Sequence, residues 1–356
     1  MDKQIIFDDV YKNKRIFVTG GNGFKGSWLI KRLMCFDAII KNYSLVPETE
    51  PNHFVELNTE IESEINDIRD SDSLSKSIKK FKPDIIFHLA AQPLVRESYL
   101  DPVTTFETNI MGTVNILEIC RNIPSVRAIV VITTDKVYES KEWVYGYREN
   151  DRLGGYDPYS ASKVCSELVT DCFRKSFYDR DVLISSVRAG NVIGGGDWST
   201  YRLVPNIVKT VFDKHDLRIN PTAVRPWQHV LDCIEGYLSL GRKLLGGNSD
   251  FEGAWNFGPN DKNLLSVQKI LDKFGKYWDV PYKINEDSDK KFKETDILKL
   301  DTSKARTSLN WNPIYDINDS IKLIVDWYDS YYKYNELLTE QQINNYIQEL
   351  GRNNVK

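Results

Sequence analysis

The stretch RIFVT at Arg15–Thr19 is apolar and rich in β-branched residues, and FKGSWLIKRLMCF at Phe24–Phe36 repeats its apolar positions at helical spacing. IIKNYSLV at Ile39–Val46 is apolar again. That order predicts strand, amphipathic helix, strand. DIIFHL (Asp84–Leu89), Ala128–Ile132 and VLISSV (Val182–Val187) supply later strands, with helical segments near Ser73–Phe81, Pro102–Cys120 and Tyr159–Phe177 between them. Alternation of this kind predicts an α/β fold built on a doubly wound parallel sheet. Beyond about Arg188 the pattern loosens into loops rich in Gly, Pro and Trp, with helices near Leu203–Phe212 and Val230–Leu245. From Ile317 onward Tyr and Trp recur at helical spacing. Two domains are expected: residues 1–188, and a smaller, mixed α/β domain over 189–356 interleaved with the first around 228–260.

Composition narrows the class. With 356 residues, 41% hydrophobic and 28% charged, the chain is long enough for a substantial core. A net charge of −4 without one-sign blocks gives no support for a nucleic-acid partner. The five cysteines are odd in number and lack CxxC spacing, which reads as reduced thiols and no metal site. No apolar run is long enough to cross a bilayer, and MDKQIIFDDV lacks a signal-peptide layout, so no membrane partner and a cytoplasmic location are expected.

Three motifs carry chemistry. TGGNGFKG at Thr19–Gly26 lies between the first strand and first helix, and Gly20, Gly23 and Gly26 permit a tight turn with the helix amino terminus facing a pyrophosphate. That placement suits a Rossmann-type dinucleotide domain over 1–188, and Asn22, Phe24 and Lys25 share the turn. The second strand ends at Ser44 with no arginine beside it, so NAD is the expected cofactor rather than NADP. Asp67 and Ile68 either hold the adenine or are a surface acid with an apolar neighbour. TTDKVY at Thr133–Tyr138 follows a buried strand, where ligands bind in open α/β sheets. In DPYSASK, Asp157–Lys163, Tyr159 and Lys163 stand four residues apart on one helix face. A tyrosine with pKa ~10 is a poor base at neutral pH, and a neighbouring ammonium lowers that value.

The order of TGGNGFKG, HLAAQ (His88–Gln92), TTDKVY, YSASK and RPWQHV (Arg225–Val230) resembles the extended short-chain dehydrogenase/reductase superfamily. Within it, AAQPLVRESY (Ala90–Tyr99), EWVYGYRENDRLGGYDPYS (Glu142–Ser160) and RAGNVIGGGDW (Arg188–Trp198) resemble the 4,6-dehydratases of CDP-linked glucose. IKNY at Ile40–Tyr43 departs from the family's more glycine-rich approach to the second strand. The resemblance implies an enzyme that keeps NAD bound and eliminates water from a nucleotide-activated hexose, a CDP-hexose before others. Tyr159 would take the 4-hydroxyl proton as hydride leaves C4. Asp135 would protonate the departing 6-hydroxyl and Lys136 would remove the C5 proton, or Lys136 would only bind substrate or orient Asp135. As the C5 base, Lys136 would need a pKa brought toward operating pH.

Further positions follow from the same likeness. Thr134 would hydrogen-bond the sugar 4-hydroxyl. Leu89, Ala90, Ala91, Gln92 and Thr108 belong with the cofactor, as do Tyr159 and Lys163. Arg96, Asn109, Asn191, Arg202, Arg225 and His229 fall on the substrate side, where Asn109 would stabilise a loop and Asn191 looks like a pyrophosphate contact. Arg202 and Arg225 would take the diphosphate, with a structural ion pair equally open for Arg202. Trp198 and Trp227 shape the pocket or pack in the core. A homodimer or dimer of dimers is expected through the helices near 102–120 and 159–177, where Ile110, Val114 and Leu117 recur. An epimerase or reductase of the superfamily, and an inactive nucleotide-sensing module, are the alternatives.

Overall fold

A computed structural model describes residues 10–178, 181–284 and 298–354; the amino-terminal stretch behind the signal-peptide reading lies almost wholly outside these. Strands β1 (Arg15–Thr19), β2 (Ile39–Ser44), β3 (Glu62–Ile65), β4 (Ile85–His88), β5 (Ala128–Ile132) and β6 (Leu183–Ala189) follow one another along residues 15–189. With β10 (Gly253–Phe257) they form one seven-stranded sheet in the order β10-β6-β5-β4-β1-β2-β3, every pair parallel. This is the doubly wound α/β sheet that the alternating pattern predicts.

Both faces of the sheet are covered, which explains the near-continuous apolar runs. Along β5, Ile129 and Val131 face one core cluster while Val130 and Ile132 face the other. Helices α1 (Phe24–Met34), α2 (Ser71–Phe81), α3 (Gly112–Cys120) and α4 (Pro158–Ser176) alternate with these strands. The segment expected as one helix over 102–120 contains a π turn at Glu107–Met111. The edge strand β3 reads ESEI, and its Glu62 and Glu64 clasp the buried Lys41 of β2 at 2.8 and 2.9 Å. Charge along that edge discourages further pairing.

Within the main sheet, the strand that the sequence pattern did not announce is β10. GAWNF is short and has no β-branched residue, so its propensity signal is weak; it is held by its ladder with β6 and by the buried Trp255. Two small sheets complete the chain. One joins β7 (Asn191–Ile193), β9 (Val224–His229) and β11 (Leu264–Ser266); the other joins β8 (Leu217–Ile219) and β12 (Tyr282–Ile284). Helices α5 (Leu203–Asp213) and α6 (Val230–Leu245) flank them, and α7 (Ile317–Tyr334) with α8 (Thr339–Asn354) pack over α1 and α6. Among the described residues no helix is long and apolar enough to cross a membrane.

Candidate active site

The carboxyl ends of β1, β4, β5 and β6 converge on one region. At the end of β1, Gly20 has φ +74°, and a Cβ there would stand 2.6 Å from the Ala90 amide nitrogen. Only glycine lets the turn lie on the loop after β4. The turn is pinned from β2: the Gly21 amide donates to Asn42 Oδ1 (3.1 Å), Asn42 Nδ2 donates to Asn22 Oδ1 (2.8 Å), and the Asn22 amide donates to Ser44 Oγ (3.3 Å). Asn42 is fully buried. It lies in the IKNY departure, where an isolated polar residue gave the sequence reading no signal. Helix α1 then begins without a side-chain cap or a first-turn acid, so its leading amides are free to meet an anion. The cradle therefore fits a dinucleotide pyrophosphate. Lys25 turns away from it, its Nζ 3.5 Å from the Tyr237 hydroxyl.

Of the adenine pair, Asp67 is partly exposed and tied to Arg69 at 2.6 Å, whereas Ile68 is a core residue beneath α3. The loop after β4 carries Leu89, Ala90, Ala91 and Gln92, all half-buried. The Ala90 amide donates to Thr19 Oγ1 (3.2 Å) and Gln92 Nε2 to Thr105 Oγ1 (2.8 Å). The π turn aims Asn109 inward: its Oδ1 accepts from the Gln92 amide (2.8 Å), and its Nδ2 donates to the Gln92 carbonyl (3.1 Å) and Ser162 Oγ (2.8 Å). With its amide fully engaged and 1% exposed, Asn109 holds the loop and offers nothing to a substrate, which corrects its place among the binding residues. Thr108, beside it, is half-buried.

Thr134 ends the β5 segment as the N-cap of a 3₁₀ turn, Asp135–Val137. Its hydroxyl accepts from the Lys136 amide (3.3 Å) and donates to Asp135 Oδ1 (3.0 Å). Burial pushes the Asp135 carboxyl up to about 6, against the opposing pull of Lys136, Thr134 and Arg225. The carboxylate rests against Gly190, where a Cβ would come within 2.8 Å of Oδ2. Lys136 is half-buried.

Tyr159 and Lys163 occupy the first turns of α4, which Asp157 caps by accepting from the Ser160 amide (2.9 Å) and hydroxyl (2.6 Å). Both side chains are buried. Burial drives Tyr159 up to about 12; the neighbouring Thr134 hydroxyl opposes this and Asp135 reinforces it. Burial, aided by Lys25, brings Lys163 down to about 7, and its Nζ donates to the Ile132 carbonyl at 3.1 Å. Burial thus leaves Tyr159 above its ordinary value, where the sequence placed it below. The lysine is itself starved of charge and is bonded to strand β5.

The substrate-side residues divide. Arg202 Nη1 lies 3.2 Å from Asp197 Oδ2, the ion pair held open above, yet a third of its side chain is exposed. Arg225 Nη1 donates to the Val224 carbonyl (2.9 Å), with its guanidinium near Asp135. Arg96 packs over the Tyr201 ring at 4.9 Å, and Asn191 opens β7, half-buried opposite Trp227. His229 does not belong with them. It is fully buried, caps α6 by accepting from the Leu231 amide (3.3 Å), and is held down to about 3 by desolvation, so it meets neither sugar nor phosphate. Trp198 and Trp227 are core residues, donating to the Tyr332 hydroxyl (3.2 Å) and the Leu265 carbonyl (2.9 Å). Gly190, Glu167 and Arg188 were missed; Glu167 could have been found by extending the Tyr159–Lys163 spacing one more turn along the helix.

Residues 17–324 match the family described as GDP-mannose 4,6 dehydratase. The chain belongs to that family. Among curated members of related function, it is 44% identical over 354 residues to the CDP-glucose 4,6-dehydratase of Salmonella typhimurium, covering 96% of this chain and 99% of that protein. It is 27% identical to the dTDP-glucose 4,6-dehydratase of Haemophilus influenzae, covering 88% and 97%. A solved dTDP-glucose 4,6-dehydratase from Bacillus anthracis in complex with NAD shares the fold of this dehydratase-family chain with TM-score 0.74 and 20% identity, over 90% of this chain and 98% of that one.

Proposed function

We propose that the chain is an NAD-dependent hydro-lyase that converts CDP-D-glucose to CDP-4-dehydro-6-deoxy-D-glucose and water. The observation that carries this reading is the burial of Asp135 and Tyr159 together beside Thr134, whose hydroxyl donates to Asp135 Oδ1 (3.0 Å), so that an elimination acid and an oxidation base share one site. The Salmonella relative, a CDP-glucose 4,6-dehydratase 44% identical over nearly its whole length, supports the choice of nucleotide. An epimerase needs Tyr159 and Lys163 but has no use for Asp135 and Lys136.

The turn from Gly20 to Gly26, with Ser44, Asp67 and the 89–92 loop, would hold NAD, which would supply a hydride acceptor and a pyridinium charge. Tyr159 takes the C4 hydroxyl proton while Thr134 orients that hydroxyl, and Lys163 stabilises the phenolate so formed. Asp135, whose carboxyl stays partly protonated near neutrality, protonates the departing 6-hydroxyl. Lys136 removes the C5 proton and returns a proton to C5 as the hydride taken from C4 is delivered to C6, so the reaction is redox-neutral and yields the 4-dehydro-6-deoxy sugar. Arg202 and Arg225 clamp the diphosphate, with Arg96 and Asn191 beside it.

Residues 1–188 serve the cofactor and 189–356 mainly the substrate, with 228–260 returning to the first. The enzyme is cytoplasmic and a homodimer, alone or as half of a tetramer. The exposed apolar residues Leu100, Val103, Met111 and Leu168, on the helices between 95 and 176, support pairing there, whereas Leu117 faces the protomer's own core. Light scattering checks the assembly; a monomer at micromolar concentration would remove it. The function is tested by incubating the protein with CDP-, dTDP-, GDP- and UDP-hexoses and following loss of water by mass. Selective dehydration of CDP-glucose is expected. Epimerisation without water loss would overturn the reading.

A further inference from the structure

Beneath the two reacting pairs lies a carboxylate that neither half of the reaction consumes. Glu167 stands on α4 one turn past Lys163 and is 4% exposed. Its Oε1 accepts from Thr133 Oγ1 (2.5 Å) and Arg188 Nε (3.0 Å), and its Oε2 from Ser186 Oγ (2.6 Å) and Arg188 Nη2 (2.8 Å). Thr133 immediately precedes Thr134 and the turn that carries Asp135 and Lys136. Tyr138 ends that turn as its C-cap, and its hydroxyl accepts from Arg188 Nη1 (2.7 Å) while donating to Asn256 Oδ1 (2.7 Å). One carboxylate on the catalytic helix thus grips the start of the turn directly and its end through Arg188.

A buried ion pair of this kind is weak evidence for stability, because desolvation of both charges offsets their attraction. Its hydrogen-bonding geometry is specific, however, and specificity of register is what a two-step reaction on two elements requires. We infer that Glu167 is a positioning residue that fixes the Asp135–Lys136 turn against the Tyr159–Lys163 helix, so that oxidation at C4 is followed by elimination without release or idling. The inference rests on the dehydratase reading above.

The charge of Glu167 has a second effect. Lys163 is faced by Lys25 from α1, by Tyr159 and Glu167 from its own helix, and by His88 of β4, which burial holds down to about 3. Glu167 is the group that raises Lys163, against burial and Lys25, and its own charge is shared with Arg188 of β6.

The test uses the full-length enzyme with NAD and CDP-glucose, reading water loss by mass, the fraction of cofactor trapped in reduced form during a single turnover, and the pH profile of kcat. Thr133→Val removes the direct grip but leaves the charge. Dehydration should slow roughly tenfold, reduced cofactor should accumulate, and the alkaline limb should stay in place. Glu167→Gln should do the same and also move the alkaline limb to lower pH, because Lys163 then loses its proton earlier. Glu167→Asp, which keeps the charge on a shorter arm, should restore the limb but not the rate. Wild-type partitioning and an unmoved limb in Glu167→Gln would overturn the inference. Should that variant fail to fold, wild-type partitioning in Thr133→Val overturns it equally. A wild-type enzyme that releases no water from any nucleotide hexose would overturn the functional reading, and this inference with it.

Discussion

The pair Tyr159–Lys163 and the pair Asp135–Lys136 sit in the same buried site on very different supports. The first rides a helix of 19 residues with a capped amino terminus, so its spacing is a property of the helix alone. The second rides a 3₁₀ turn of three residues whose geometry is imposed from outside: by Gly190 past the end of β6, by Arg225 on β9, and by the Glu167 network on α4. Oxidation chemistry is therefore locally encoded, and elimination chemistry depends on contacts between distant segments.

The largest effect should come from the helical pair. Tyr159→Phe is expected to lower kcat by roughly 10³-fold with little change in CDP-glucose binding by calorimetry, since only a proton acceptor is lost; turnover near the wild-type rate would end its assignment as the base. Next comes Lys136→Ala, expected to slow dehydration by about 10²-fold while C4 oxidation continues. Reduced cofactor should then build up in absorbance, and C5 should take up little deuterium from heavy water. Normal C5 exchange in that variant would break the contrast between the two pairs by leaving the turn without its base. Gly190→Ala, distant in sequence from both motifs, should cost roughly tenfold in dehydration by displacing Asp135, with oxidation in a single turnover spared.

The smallest effect concerns stability and has a definite sign. The Asp135 carboxyl is raised from its ordinary range to about 6, so the folded state favours the protonated form. Stability is lost as pH rises from the unfolded value, about 4, through that folded value. Asp135→Asn should consequently be inactive yet more resistant to urea at pH 8, by about 2 kcal/mol, with the advantage fading toward pH 4. An unchanged or lowered midpoint at pH 8 would indicate that the acid is solvated and free of strain.

The legibility of the chain follows the same division. β1 and β5 were readable to the residue, because strands buried on both faces are uninterrupted apolar runs. Tyr159 and Lys163 were readable because helical spacing is a short-range rule. Asn42 and Glu167 were not, since a buried polar residue inside an element looks like a solvent-facing one until its partners, brought in from other strands and helices, are known. His229 failed for the converse reason: beside Arg225 in RPWQHV it reads as a ligand, but burial deepens along β9 and His229, at its inner end, caps α6 from the interior. The π turn that aims Asn109 inward leaves no trace in periodicity, because it adds a single residue to an otherwise ordinary helix.

The late arrival of β10 bears on how the protein is made. Once Ala189 has left the ribosome, six strands of the main sheet exist, but β6 still presents a bare ladder and Trp255 has not been synthesised. For the time taken to translate the stretch from 190 to 257, the nascent sheet carries an open, apolar edge of the sort that pairs with other chains. In the full-length protein, Trp255→Ala should therefore lower the hydrogen-exchange protection of the β6 amides while leaving that of β1 near wild type. The seventh strand acts as a closing seam for the main sheet, laid down only after every other strand of that sheet has been made.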